Sequence, residues 1–190
     1  MSPGGGGAVS PGRAGAVSPR ARLAALLAVV ALAGCGGLRT MLAPPPEALP
    51  GEKAGWLAYR VGGLRVEAPA GWVASGDASR VTLEAEGLKL EARVVEGRFD
   101  DGKACLAAAD EALRRGEERL SRVRRHTTTL AGRPAVVQEA DAGGWHGWAY
   151  GVCDGPVQYR LFFTGRSPIP AEVLEAWRGV VASARLGGVS

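Results

Sequence analysis

Histidine is scarce in this sequence: His126 and His146 are the only two, twenty residues apart. That spacing fits no two-histidine zinc helix, and with three cysteines in the whole chain there is no spare pair to complete a metal site. No Gly-x-Ser-x-Gly elbow occurs, and no phosphate loop ends in Gly-Lys-Ser or Gly-Lys-Thr. No metal, cofactor or catalytic set is expected, and His146 beside Asp141 is the least poor candidate for a general base, otherwise a strand-end histidine. Charge of one sign is also lacking. The formal net charge is +4, but residues 1–34 hold Arg13, Arg20 and Arg22 and no acid, leaving twenty basic against nineteen acidic residues. Nucleic acid, which calls for a concentrated basic face, is therefore not an expected partner. A long apolar run is missing too: Leu23 to Ala33 is eleven residues, against the ~20 that a membrane-crossing helix needs.

What is present in that place is the anatomy of an export signal, two arginines followed by a short apolar stretch. Its end, Leu32-Ala33-Gly34-Cys35, resembles the bacterial lipobox. The resemblance implies cleavage before Cys35 and acylation of that cysteine, and several acyl chains hold a protein firmly where one holds it marginally. The expected divisions are a lipoprotein signal over 1–34, a lipidated, proline-rich tether over 35–55 and a domain over 56–187. The repeated Gly-Ala-Val-Ser-Pro before the signal has no pattern that could fold, and a translation start near Val17 would give a signal of ordinary length. Gly36 follows the cysteine where an aspartate would retain a lipoprotein at the inner membrane of enteric bacteria. The expected location is thus the outer membrane, facing the periplasm.

The domain's periodicity is readable. "YRVGGLRVEAP" and "VTLEAEGLKLEARV" alternate apolar and polar residues around Gly62-Gly63 and Glu86-Gly87, which predicts two hairpins. Asp101 to Leu120 changes to helical spacing, with Leu106, Ala109, Leu113 and Leu120 on one face. Strands are predicted over Val123 to Leu130 and Pro134 to Ala140, then Trp145 to Cys153 and Val157 to Thr164 around Asp154-Gly155-Pro156. Val173, Leu174, Trp177, Val180, Val181 and Ala184 line one face of a closing helix expected from Pro170 to Leu186, with Gly187 to end it. The order strands, helix, strands, helix predicts an α+β domain with a mainly antiparallel sheet flanked by helices.

"VEAPAGW" (66–72), "LAGRPAVVQE" (130–139), "YRLFFTG" (159–165) and the closing helix together resemble the photosystem PsbP superfamily and its bacterial relatives of the DcrB and LpqN type. The resemblance spans roughly Leu57 to Leu186. It implies an α-β-α sandwich and a non-enzymatic assembly or binding role, and it carries over no catalytic residue. Trp72 and Arg133, at its motif positions, read as packing and turn residues.

Cys105 and Cys153 remain once Cys35 is lipidated. Export permits a disulfide, and small residues around both, Ala108, Ala109 and Ala112 on the helix and Gly147, Ala149 and Gly151 on the strand, allow the approach that one needs. Two features suggest binding. The run "RRGEERLSRVRRH" has six arginines against Glu117 and Glu118, a local basic patch in which Arg119, Arg122, Arg124 and Arg125 are the candidate binding residues. "GWHGWAYG" puts Trp148 and Tyr150 on one side of a strand and leaves Trp145 and His146 at its start, where a groove would expose them. The function expected from anchor, tether and domain is that of an accessory or docking factor for another envelope protein, not an enzyme. The alternative is a small-ligand or lipid-binding module.

Overall fold

In the computed structural model of the chain, residues 46–95 and 99–187 are described. The signal, Cys35 and most of the tether lie outside them. Among the described residues eleven strands and two α-helices follow one another as β1 (Ala48–Pro50), β2 (Trp56–Val61), β3 (Leu64–Pro69), β4 (Val73–Asp77), β5 (Arg80–Ala85), β6 (Leu88–Val95), α1 (Gly102–Arg114), β7 (Ser121–Leu130), β8 (Arg133–Ala142), β9 (Trp145–Asp154), β10 (Val157–Arg166), α2 (Ala171–Ser183) and β11 (Arg185–Leu186). A 3₁₀ turn, Glu117–Arg119, joins α1 to β7.

The strands form two sheets. One has the order β1-β2-β3-β11; the other is a seven-stranded antiparallel sheet, β4-β5-β6-β10-β9-β8-β7. Both predicted hairpins form, and Gly62 turns the first with φ +58, a conformation glycine adopts without penalty. Three strands were not foreseen, β1, β4 and β11. β4 pairs with β5 at the outer edge, and β1 adds residues of the proline-rich stretch to β2, with Pro50 on an edge where a missing amide donor is tolerated. The closing helix is shorter than predicted. Its chain leaves helical geometry at Ala184 (ψ 131), and Arg185–Leu186 pairs with Leu64–Arg65. Ser183 marks the exit: its hydroxyl donates to the Val180 carbonyl (2.7 Å) and accepts the Glu67 amide (2.9 Å).

The helix-flanked α-β-α sandwich is overturned by this arrangement. One face of the large sheet is sealed by the small sheet and α2 together, so the second layer there is largely β. Tyr59, Val61, Leu64 and Val66 of the small sheet share one buried core with Leu83, Leu90, Leu161 and Phe163 of the large sheet and Trp177 and Val180 of α2. Phe163 and Trp177 stack with centroids 4.6 Å apart. The Gly63 amide donates to the Tyr159 hydroxyl at 3.1 Å, tying the small sheet's turn to the large sheet.

Among the described residues the opposite face carries only α1, over β8, β9 and β10. Asp101 caps it, its carboxylate accepting the Ala104 amide at 2.7 Å. Beneath, Gly151 allows the close approach: a Cβ there would stand 2.8 Å from the Ala109 Cβ and 3.2 Å from Val136 Cγ2. Cys105 and Cys153 are bonded, Cα atoms 6.2 Å apart, as the small residues suggested. The small apolar cluster of Ala109, Leu113 and Val136 completes the seat. α1 ends at Arg114, and the sheet continues past it uncovered.

Candidate functional site

Alternation decides which side chains meet in that uncovered region. Opposed residues of antiparallel strands share a face, so the register Ala140↔Gly147, Gln138↔Ala149 and Ala149↔Phe162, Gly147↔Thr164 puts these six on the α1 side. The stretch that follows α1 supplies Gly116 and Leu120 as one wall. The result is an open groove of about 320 Å³ whose floor is Ala140, Gly147 and Ala149 and whose sides include Leu113, Trp145 and Phe162. Gln138, Arg160 and Thr164 are the polar groups at its edges.

Trp145 lies where the sequence put it, at the start of its strand, 37% exposed and lining the groove. Arg166 stacks over its ring at 5.6 Å. His146 turns the other way. Its Nδ1 meets Asp141 Oδ1 at 2.6 Å, its Nε2 meets Glu139 Oε1 at 3.2 Å, and its ring stands edge-on to Trp148, centroids 4.5 Å apart. With both ring nitrogens engaged, the imidazole presents no open site to a substrate. The hydrogen bond from His146 holds Asp141 below the usual carboxylate range; burial opposes this, and Arg122 adds to it. Trp148 and Tyr150 pack against the aromatic core and Trp177, and burial, with Glu139 nearby, raises the Tyr150 hydroxyl.

The six-arginine run is largely neutralised. Arg114 pairs with Asp110 at 2.8 Å and Arg115 with Glu111 at 3.6 Å. Arg125 reaches both Asp110 (3.2 Å) and Glu117, and Glu117 in turn accepts from Gln138 at 3.0 Å. Arg122, at positive φ in a bulge of β7, pairs with Asp141. Among the described residues Arg119 and Arg124 have no ion pair, so two separate cations remain of the expected patch. Arg133 opens β8 and bonds Asp154 at 3.0 Å, and Trp72 packs at the margin of the core.

Arg160 was missed. It stands in the run Tyr159–Phe163, otherwise apolar, and that lone charge beside two phenylalanines was the available signal. Burial lowers its pKa, as do the like charges of Arg93 and Arg115. Among the described residues no group of three or more metal-ligating side chains is assembled, and no helix is long and apolar enough to cross a membrane.

No family model matches the chain, and no curated protein does. Among solved structures, the chain is similar to the cyanobacterial PsbP (CyanoP) of Synechocystis, with a TM-score of 0.52 at 12% identity over 74% of this chain and 98% of that one. A crystal structure from Bacteroides thetaiotaomicron aligns more weakly, with a TM-score of 0.41 at 10% identity over 67% of this chain and 46% of that one. At 12% identity the likeness to CyanoP is one of fold alone, and the domain has a PsbP-like fold.

Proposed function

We propose that the chain is a lipid-anchored protein of the bacterial envelope, held at the outer membrane facing the periplasm, whose domain is a non-enzymatic binding module for a small apolar ligand. The groove carries the reading. Ligand sites are typically ~300–1,000 Å³, mostly apolar, with a few polar groups that orient the occupant. The space above Ala140, Gly147 and Ala149, edged by Gln138, Arg160 and Thr164, has that composition. Leu32-Ala33-Gly34-Cys35 supports the anchor.

The docking reading has less to stand on. It calls for a contiguous exposed apolar patch, whereas among the described residues the exposed large apolar side chains Leu49, Val73 and Trp145 sit on β1, β4 and β9. Arg119 and Arg124 are what an acidic protein partner would have to use.

The test is to purify the full chain from its own envelope and extract what accompanies it, alongside an Ala140→Phe variant whose added ring occupies the groove. One apolar compound in near-equimolar amount with the wild type, and missing from a variant of unchanged Tm, is expected. The same compounds in both samples, or none besides the anchor, would contradict the reading.

A further inference from the structure

The groove is not uniform along its length. At one end stands Trp145. At the other, Arg160 on β10 faces Arg93 on β6, and Arg93 faces Arg80 on β5, so three guanidiniums cross the sheet in one row on the α1 side. Like charges placed directly opposite one another destabilise a sheet. A single carboxylate offsets only part of the row. Glu91 serves both Arg80 and Arg93, the latter only at 3.8 Å, and among the described residues Arg160 has no ion pair.

Unmet hydrogen-bonding capacity lies in the same place. Arg93 Nε and Gln158 Nε2 are buried without partners, and Gln158, 1% exposed, is two positions from Arg160 on the same face. Buried donors without acceptors are costly, and an anion seated beside Arg160 would bring an acceptor to the facing Arg93 side chain. The Arg93 guanidinium also lies 5.3 Å from the Phe162 ring, which links the cationic row to the apolar wall of the groove. From Arg160 to Arg166, opposite Trp145, is six residues of strand, roughly 20 Å, room for an extended chain of about a dozen carbons.

We propose that the groove takes a single-chain amphiphile with an anionic head group, its head against Arg160 and Arg93 and its tail across Ala149, Phe162 and Ala140 toward Trp145. This rests on the groove being a ligand site and adds the charge and form of the ligand. One chain fits the space, and the head group is chosen by charge.

The test uses the full chain in phosphatidylcholine nanodiscs and a photoreactive, diazirine-bearing dodecanoate, with attachment sites mapped by mass spectrometry. Unlabelled dodecanoate, dodecyl phosphate, dodecanol and dodecyltrimethylammonium compete. Label is expected within residues 138–149 and 160–164, displaced by the two anions at least about tenfold more effectively than by the alcohol or the ammonium, as charge-assisted hydrogen bonds require. Arg160→Gln should lose that preference, and Arg93→Gln serves if the first variant does not fold. Groove labelling that all four competitors displace alike would overturn the anionic head group and leave the apolar site standing. Label spread elsewhere would overturn both.

Discussion

Leu161 and Phe163 point to one side of β10 and are fully buried, while Arg160, Phe162 and Thr164, their immediate neighbours in sequence, point to the other and stay partly open. The two faces of the large sheet are held by different means. The first is filled by side chains of both sheets and α2, with Phe163, Trp148 and Tyr150 all packed on Trp177. The second relies on one helix fixed by a disulfide, a small apolar cluster and ion pairs. Packing fills the centre of the first face. A fastened helix that stops short leaves a groove on the second, and the cations gather there.

The largest break in this comparison should come from the filled face. Trp177→Ala removes a side chain that is 3% exposed and should cost about 3–5 kcal/mol in urea unfolding; a cost below about 1 kcal/mol would mean that α2 does not seal the core. Replacing Cys105 and Cys153 together by serine opens a link across 48 residues and should cost about 2–4 kcal/mol. Its effect should also be local, with amide protection falling in Gly102–Arg114 and holding in Trp56–Pro69. Equal loss in both segments would erase the distinction between the faces.

The smallest effect is one of pH. Asp141 has a folded-state pKa lowered first by the His146 hydrogen bond, against burial and with help from Arg122. Its contribution to stability is therefore complete above the unfolded aspartate value, about 3.9, and is lost as pH falls through the lower folded value. Asp141→Asn should be less stable than wild type at neutral pH, and the gap should close below about pH 4. A gap that stays constant down to pH 2 would show that the carboxylate's charge is not what matters at that site.

Much of the first face was legible because alternation and helical stripes report directly on burial. Val81, Leu83, Leu90 and Ala92, and Trp177 and Val180, are buried as their spacing requires. Alternation does not say what does the burying. The sandwich expectation failed there: the cover of the core face is largely a second sheet, built through pairings as distant as Arg185 with Arg65. The groove was less legible still. Gly147, Ala149 and Gly151 read alike as a seat for a helix, but Gly151 lies under α1 at Ala109, Ala149 packs on the same small cluster while also lining the groove, and Gly147 is groove floor. The row of Arg80, Arg93 and Arg160 is an effect of register, since β6 meets β10 across more than sixty residues of chain. Nothing in a local window shows that these three stand side by side.

The most direct test of the binding account is hydrogen exchange on the full chain with and without dodecanoate. The account predicts added protection in residues 112–120, 138–149 and 160–164, with none in Trp56–Pro69 or Ala171–Ser183. Protection confined to those last two segments, or no change anywhere at saturating dodecanoate, would contradict it.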